Sequence, residues 1–148
     1  MLVLFQESRG VPDPRKQRKV YPIDPIVAHL PARRSPGSTE PATSQLAEAA
    51  LATAIFRAVE GDAADRFGRP GHLFFFKSPN GAEVDFVVQP GPFAAESKYT
   101  DTPSSVDARA MVANFGGGLV LSRGAIDVSR DTPTIPASVF AWLLDQPW

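Results

Sequence analysis

Hydrophobic residues occur along this chain mainly in short runs separated by turns, a pattern typical of strands. Asn80-Gly81 lies between two such runs and predicts a tight hairpin turn. The segment Ser8–Gln17, rich in proline, glycine and charge, predicts the loop of a second hairpin near the N-terminus. The strand Leu119–Leu121 is expected to pair with Ile126–Val128. The predicted strands are Leu2–Phe5, Lys19–Ile23, His72–Lys77, Glu83–Val88, Phe93–Tyr99 and Leu119–Leu121.

Three further segments have apolar residues at helical spacing. The longest is rich in alanine and stops at Gly61, a residue typical of helix C-termini. In the second, the spacing of Val106, Ala110 and Ala113 predicts the buried side. The predicted helices are Ser44–Glu60, Ser105–Phe115 and Ser138–Leu144.

The stretch from Pro31 to Ser38 has no core-forming pattern and is interpreted as a linker. It divides the chain into residues 1–38, a hairpin with a basic linker, and residues 39–148, which hold the longest helix and the later strands. Because the first strand begins almost at Met1, the chain is expected to be a fragment or to lack an upstream partner.

Composition narrows the possible classes of protein. A length of 148 residues and a hydrophobic fraction of 43% suit a compact folded unit. The chain has no cysteine, which excludes disulfides, thiolate zinc sites and cysteine nucleophiles and favours a reducing cytoplasm. No apolar run approaches the roughly 20 residues needed to span a bilayer, so no membrane partner is expected.

Charge is unevenly distributed along the chain. Residues 1–34 hold seven basic and three acidic side chains, whereas the remainder holds eight basic and thirteen acidic ones. A basic segment on an acidic body is able to contact nucleic acid. The alternative is an ordinary solvated loop. The candidates for nucleic-acid binding are Arg15, Lys16, Arg18 and Lys19.

The main candidate for chemistry is Asp85 together with Glu96-Ser97-Lys98. Side chains alternate along a strand, so Glu96 and Lys98 are predicted to face the same way. A turn at residues 91–92 allows the two strands to be neighbours, which places Asp85 beside Glu96. Carboxylate oxygens are preferred Mg²⁺ ligands, and an ammonium group can orient a metal-bound water. The set is therefore suited to phosphodiester hydrolysis, and the alternative is an exposed salt bridge on a strand surface.

Glu48 is an unexpected residue in the long helix. At 100° per residue it lies on the same stripe as Leu51, Ile55 and Val59. Buried carboxylates are costly unless they are paired or bound to metal, which favours a role in the site. Alternatively, Glu48 lies in the first turns, where the helix dipole favours acids and the side chain reaches solvent. Spacing alone leaves both interpretations open.

The order of helix, hairpin and strand, with Glu48, Asp85, Glu96 and Lys98, resembles the PD-(D/E)XK nuclease-like superfamily. More closely, the chain from about Lys19 onward resembles the C-terminal domain of unknown function found on many bacterial and archaeal AAA-type ATPases. The stretches that carry this resemblance are Lys19–Pro25, Gln45–Leu51, Gly81–Val88 and Ala95–Tyr99.

The resemblance implies an α/β fold with a restriction-endonuclease-like core. This is a mixed central β-sheet flanked by helices, here with an N-terminal β-hairpin. It also implies that Asp85 and Glu96 ligate Mg²⁺ or Mn²⁺, with the Ser97 carbonyl as a third ligand.

Three other residues take supporting roles in the same scheme. Lys98 would position the attacking water and stabilise developing negative charge. Glu48 would hold the metal through water. Glu83 shares the face of Asp85 and either supports the ligands or is an ordinary exposed strand residue.

Two functional hypotheses follow from these residues. The first is a Mg²⁺-dependent nuclease that acts on DNA. The second is a non-catalytic module that binds DNA or a protein partner, such as a separate ATPase, and is a fragment of an AAA-type ATPase without its ATP-binding domain. The chain has no Gly-x-x-x-x-Gly-Lys-Ser/Thr phosphate loop, so no ATP site is expected in it.

Overall fold

The computed structural model describes residues 1–8, 10–35, 37–61, 71–91 and 93–146. Its N-terminal part contains strands β1 (Leu2–Phe5), β2 (Glu7–Ser8), β3 (Val11–Pro12) and β4 (Arg18–Tyr21). β1 pairs antiparallel with β4, and the shorter pair β2–β3 lies within the loop that joins them. The predicted N-terminal hairpin is confirmed, although β4 ends two residues earlier than predicted.

Helices follow the hairpin. A 3₁₀ turn at Pro25–His29 leads into α1 (Leu30–Arg34), which has no buried residue. The segment interpreted as a linker is therefore partly helical, because Pro31 lies at the start of α1 and Arg33 and Arg34 lie in its last turn. α2 (Thr43–Glu60) is the long helix predicted from the alanine-rich pattern. Among the described residues, no helix combines the length and apolarity needed to cross a membrane.

The described residues of the second half form one five-stranded mixed sheet. Among the first three strands each runs antiparallel to its neighbour, and the last two strands each pair parallel to the strand before. The predicted α/β class, with a mixed sheet flanked by helices, is confirmed at this level. In sheet order, the strands are β5 (Leu73–Lys77), β6 (Glu83–Val88), β7 (Phe93–Lys98), β8 (Leu119–Ser122) and β9 (Thr134–Pro136).

Two helices of the C-terminal half, α3 (Arg109–Phe115) and α4 (Ala137–Leu144), complete the layers around the sheet. Successive strand residues point to opposite faces. Ala94 packs in a cluster with Met111 of α3, whereas its neighbour Ala95 packs with residues of α2 and α4. Leu2 and Leu4 of the hairpin belong to the cluster that contains Ala95. The hairpin thus contributes to the principal core, while the domain boundary at residue 38 stays a prediction.

Two sequence-based predictions about this half are wrong. β8 pairs with β9 rather than with residues 126–128, where Ile126 and Val128 are largely exposed. Pro133, just before β9, and Pro136, its last residue, obscured its strand pattern, although an edge strand tolerates proline. The second error concerns the helix before β8. It begins as a 3₁₀ turn at Ser105–Ala108, and of the three residues at helical spacing Val106 and Ala113 are exposed, whereas Ala108 and Met111 are buried.

Gly118 marks the closest backbone approach in this region. Its φ is +153°, and an added Cβ would clash with the Ala94 carbonyl oxygen and the Met111 side chain. Only glycine lets the chain pass this closely beneath β7 as it enters β8. Gly116, with φ +77°, ends α3 in the left-handed conformation that glycine adopts at helix C-termini.

Candidate functional site

Asp85 of β6 and Glu96 of β7 lie side by side on neighbouring antiparallel strands. The Asp85 backbone N–H donates to Glu96 Oε2 at 3.3 Å, and the Ser97 backbone N–H donates to Asp85 Oδ2 at 2.9 Å. Both acids are buried, with 7% and 5% of their surface exposed. The two carboxylates predicted to lie side by side are therefore on neighbouring strands, each accepting from a backbone N–H of the other strand, and Ser97 contacts the site through its N–H.

β6 has a β-bulge next to Asp85. β5 advances two residues over Phe74–Phe76, whereas the paired part of β6 advances three over Val84–Val87. The extra residue is accommodated next to Asp85, and bulges re-aim side chains in this way beside functional sites. Nothing in the sequence pattern of β6 indicates the bulge, because its apolar run is compatible with a regular strand.

Lys98 follows Glu96 by two positions on β7, so both side chains leave the strand on one face. Lys98 Nζ lies 2.7 Å from Glu96 Oε1, and the Lys98 side chain is 36% exposed. Burial, and then the negative charge of Asp85, raise the pKa of Glu96 to about 7 despite the opposing effect of Lys98. The raised pKa shows that burial, together with the charge of Asp85, disfavours ionisation of Glu96 more than Lys98 favours it.

Lys19 of β4 enters the cluster from the hairpin. Its Nζ lies 2.6 Å from Asp85 Oδ1, 2.6 Å from Glu83 Oε1 and 3.1 Å from Glu48 Oε1. Burial alone would lower the pKa of Lys19, but these carboxylates outweigh burial and hold the pKa well above its usual value. The same ammonium lies 5.6 Å from the centre of the Phe75 ring. Sequence analysis placed Lys19 among the nucleic-acid candidates, whereas the structure places it between acids.

Tyr21 is a site residue that sequence reasoning missed. Its hydroxyl donates to Glu48 Oε1 at 2.6 Å, and burial, followed by the charge of Glu48, raises the pKa of Tyr21. Tyr21 lies two positions after Lys19 on β4, so the period-two rule puts both on one face. The alternation of side chains along β4 was the sequence signal that could have identified Tyr21. Glu48, whose side chain is 26% exposed, points from α2 toward these two hairpin residues.

Glu83 lies at the edge of the cluster. Besides its contact with Lys19, it lies 3.7 Å from Lys77 Nζ, and both of those side chains are one-third exposed. The structure therefore places Glu83 against the cation that contacts Asp85, in a supporting position.

The remaining basic candidates are separate from the carboxylates. Arg15, Lys16 and Arg18 are exposed, and the Arg18 guanidinium lies 5.3 Å above the Phe5 ring. Arg15 and Lys16 line a groove of about 570 Å³ together with Lys77. Lys77 connects this groove to the cluster through its contact with Glu83.

The side chains of the cluster are chemically suited to a divalent cation, but their arrangement does not form a complete set of ligands. Hard carboxylate oxygens and an excess of negative charge are what Mg²⁺ or Mn²⁺ requires. Within the described ranges, however, no three His, Cys, Asp or Glu side chains form a ready metal site. Asp85 and Glu96, with Glu48 nearby, would hold the ion, and Lys19 currently contacts Asp85.

The chain shows no match to known proteins, because no protein-family model, no curated protein and no solved structure matches it. The family resemblance in its motifs therefore stays a prediction. Function has to be inferred from the chemistry of the cluster.

Proposed function

We propose that this protein is a Mg²⁺-dependent phosphodiesterase of the PD-(D/E)XK nuclease-like class, with a restriction-endonuclease-like core, acting on DNA. The supporting observation is that Asp85 and Glu96 are buried on two adjacent strands, with the Lys98 ammonium 2.7 Å from Glu96 Oε1. Two buried acids beside the partly exposed ammonium of Lys98 form a set that suits metal-assisted hydrolysis. A cytoplasmic location, favoured by the absence of cysteine, belongs to the same proposal.

Each residue has a distinct part in this proposal. Asp85 and Glu96 would hold the divalent cation, which supplies Lewis-acid activation of water and of the phosphodiester when bound. Glu48, on α2, contacts the same Lys19 ammonium as Asp85 and accepts a hydrogen bond from the Tyr21 hydroxyl. Lys98 extends past Glu96 toward solvent, where its ammonium can donate to a water or to a phosphate oxygen and stabilise negative charge.

The basic groove suits the backbone of a nucleic acid. Arg15, Lys16 and Lys77 place three cations along it, next to Glu83 at the edge of the cluster. Phosphate contacts of this kind position a strand without reading its sequence. A strand held in the groove would lie close to the buried carboxylates.

Metal-dependent cleavage tests the proposal directly. Linear and supercoiled DNA are incubated with increasing Mg²⁺ or Mn²⁺ and with wild type, Asp85→Asn or Asp101→Asn. Asp101 is an exposed acid paired with Arg123, away from the cluster, and serves as the matched control. We expect cleavage by wild type and Asp101→Asn and a loss of at least about 100-fold in Asp85→Asn. Cleavage by Asp85→Asn at the wild-type rate would refute the proposal.

A second candidate function is a non-catalytic module that binds DNA or a protein partner such as a separate ATPase. It is favoured by the contact between Lys19 and Asp85, because an ammonium in that place neutralises the acids without any metal. In that case the exposed basic side chains, rather than the carboxylates, would determine binding.

DNA binding measured against salt distinguishes the second function. Arg15→Ala with Lys16→Ala should weaken binding and reduce the slope of log affinity against log salt by about 2. The matched control is Arg33→Ala with Arg34→Ala, which removes two other exposed cations, on α1. Equal losses in both double variants would exclude a specific role for the groove.

A further inference from the structure

Both carboxylate oxygens of Asp85 are already engaged. Oδ2 accepts from the Ser97 backbone N–H, and Oδ1 lies 2.6 Å from Lys19 Nζ. The backbone contact is fixed by the pairing of β6 with β7. With Asp85 held in this orientation, the Lys19 contact is released by rotation of the lysine side chain, so access of another cation to Oδ1 depends on Lys19.

Lys19 is held in place by more than Asp85. Its ammonium also contacts Glu83 and Glu48, so all three of its donors face carboxylates. The strand that carries it is paired through Lys19 itself with Leu4, a fully buried core residue. The backbone position of Lys19 is therefore rigid, while the end of its side chain has alternative partners.

Space for a displaced side chain lies next to the cluster. A cavity of about 450 Å³ is lined by Lys19, Tyr21, Glu48 and Glu83, together with Gln45 of α2. If the ammonium leaves Asp85 toward this cavity, it retains Glu83 and Glu48 as partners. The buried cation is then never left without a counter-charge, which keeps the displacement inexpensive.

We propose that Lys19 is the resident counter-ion of the cluster and competes with the divalent cation for Asp85 Oδ1. The inference rests on the proposed function, since it requires that the cluster binds such an ion. Lys19 occupies Asp85 in the metal-free protein, and the ion binds the fraction of molecules in which the ammonium has moved away. The apparent metal affinity is lowered by that fraction.

Calorimetric titration of Mn²⁺ into wild type, Lys19→Met and Lys77→Met tests the competition without any cleavage assay. Lys77 also contacts Glu83 but is not a partner of Asp85, which makes its variant the matched control. We expect Lys19→Met to bind Mn²⁺ at least about tenfold more tightly than wild type. Lys77→Met should remain within about threefold of wild type, because its contact with Glu83 is long and both side chains are one-third exposed.

A second measurement uses the unaltered chain, in case Lys19→Met does not fold. Acetylation of Lys19 relative to the exposed Lys16 is followed by mass spectrometry with and without Mn²⁺. Metal should increase the relative labelling of Lys19 severalfold by releasing its ammonium from Asp85. Labelling of Lys19 that does not change at saturating Mn²⁺ would overturn the proposal.

The outcomes separate this inference from the proposed function. If all three proteins bind Mn²⁺ and Lys19→Met binds no more tightly than wild type, competition is refuted while the metal site stands. If neither wild type nor Lys19→Met binds Mn²⁺, the metal-dependent function is refuted and the inference falls with it. Tighter binding by Lys19→Met, with increased labelling of wild type, supports both.

Discussion

The cluster contains two lysines whose surroundings differ sharply. Lys98, on the central sheet, contacts one carboxylate, that of Glu96, and its side chain is 36% exposed. Lys19, on the N-terminal hairpin, contacts three carboxylates, and its side chain is 17% exposed. A lysine with one partner and an open side retains donors for a ligand, whereas one enclosed by acids has none left.

The difference separates two roles that residue type alone does not distinguish. Lys98 is placed to act on a substrate, and Lys19 is placed to hold the acids of the cluster together. Removal of the Lys19 ammonium leaves Asp85, Glu83 and Glu48 without the cation that all three contact. Substitution of Lys19 should therefore mainly reduce stability, whereas substitution of Lys98 should mainly reduce activity.

The largest expected effect is on the stability of the metal-free protein. Lys19→Met should lower the free energy of unfolding by about 3 kcal/mol, because it leaves buried acids without their cation. Lys98→Met should lower it by only about 1 kcal/mol, since that pair is partly screened by solvent. Urea unfolding in the presence of a chelator measures both values. Equal losses in the two variants would contradict the distinction between the lysines.

The second effect concerns cleavage. Lys98→Met should reduce metal-dependent DNA cleavage by about 100-fold, the usual loss when a positioned ammonium that assists proton transfer or charge stabilisation is removed. Its Mn²⁺ affinity should not fall, because Lys98 supplies no ligand and its loss frees Glu96 Oε1, the oxygen of the other proposed ligand that it contacts. Cleavage rates at saturating Mn²⁺ provide the measurement. A parallel loss of metal binding would assign Lys98 a structural role instead.

The sheet side of the cluster could be predicted from the sequence. Strand alternation places Glu96 and Lys98 on one face, and the short turn after β6 brings Asp85 beside them. These are local rules acting over about ten residues, and they do not depend on how distant parts of the chain pack.

The hairpin side could not be predicted in the same way. Lys19 is 66 residues from Asp85, and only the packing of β1 and β4 against the core brings them together. Sequence alternation indicated that Lys19 and Tyr21 share a face, but not which face meets the acids. Sequence patterns also missed the bulge beside Asp85 and the strand β9, which contains Pro136. The reason is related, since the pairing with neighbouring strands determines both features.

The third effect is a pH dependence that tests the charge on the sheet side. The pKa of Glu96 is raised to about 7 by burial and by Asp85, so the folded protein binds a proton more tightly there than the unfolded chain does. Stability must then fall as pH rises from about 5 to 7, because ionisation is less favourable in the folded state. Relative to Glu96→Gln, we expect wild type to lose about 2 kcal/mol over this interval.

Urea unfolding of wild type and Glu96→Gln in chelator, at several pH values, measures this difference. The comparison cancels the other titrating groups to the extent that the two proteins share them. A difference between the two proteins that does not vary with pH would show that the charge of Glu96 is fully neutralised by Lys98.

The smallest effect sharpens the hairpin side of the comparison. Tyr21→Phe removes only the hydroxyl that donates to Glu48 at 2.6 Å, and the ring remains in the core. A hydrogen bond to a charged acceptor of this kind contributes about 1.5 kcal/mol, which is the expected loss in the free energy of unfolding. Tyr99→Phe is the control, because the Tyr99 hydroxyl takes no part in the cluster. If the hairpin supports the acids chiefly through Lys19, Tyr21→Phe must cost less than Lys19→Met, and the reverse order would make Tyr21 the principal support.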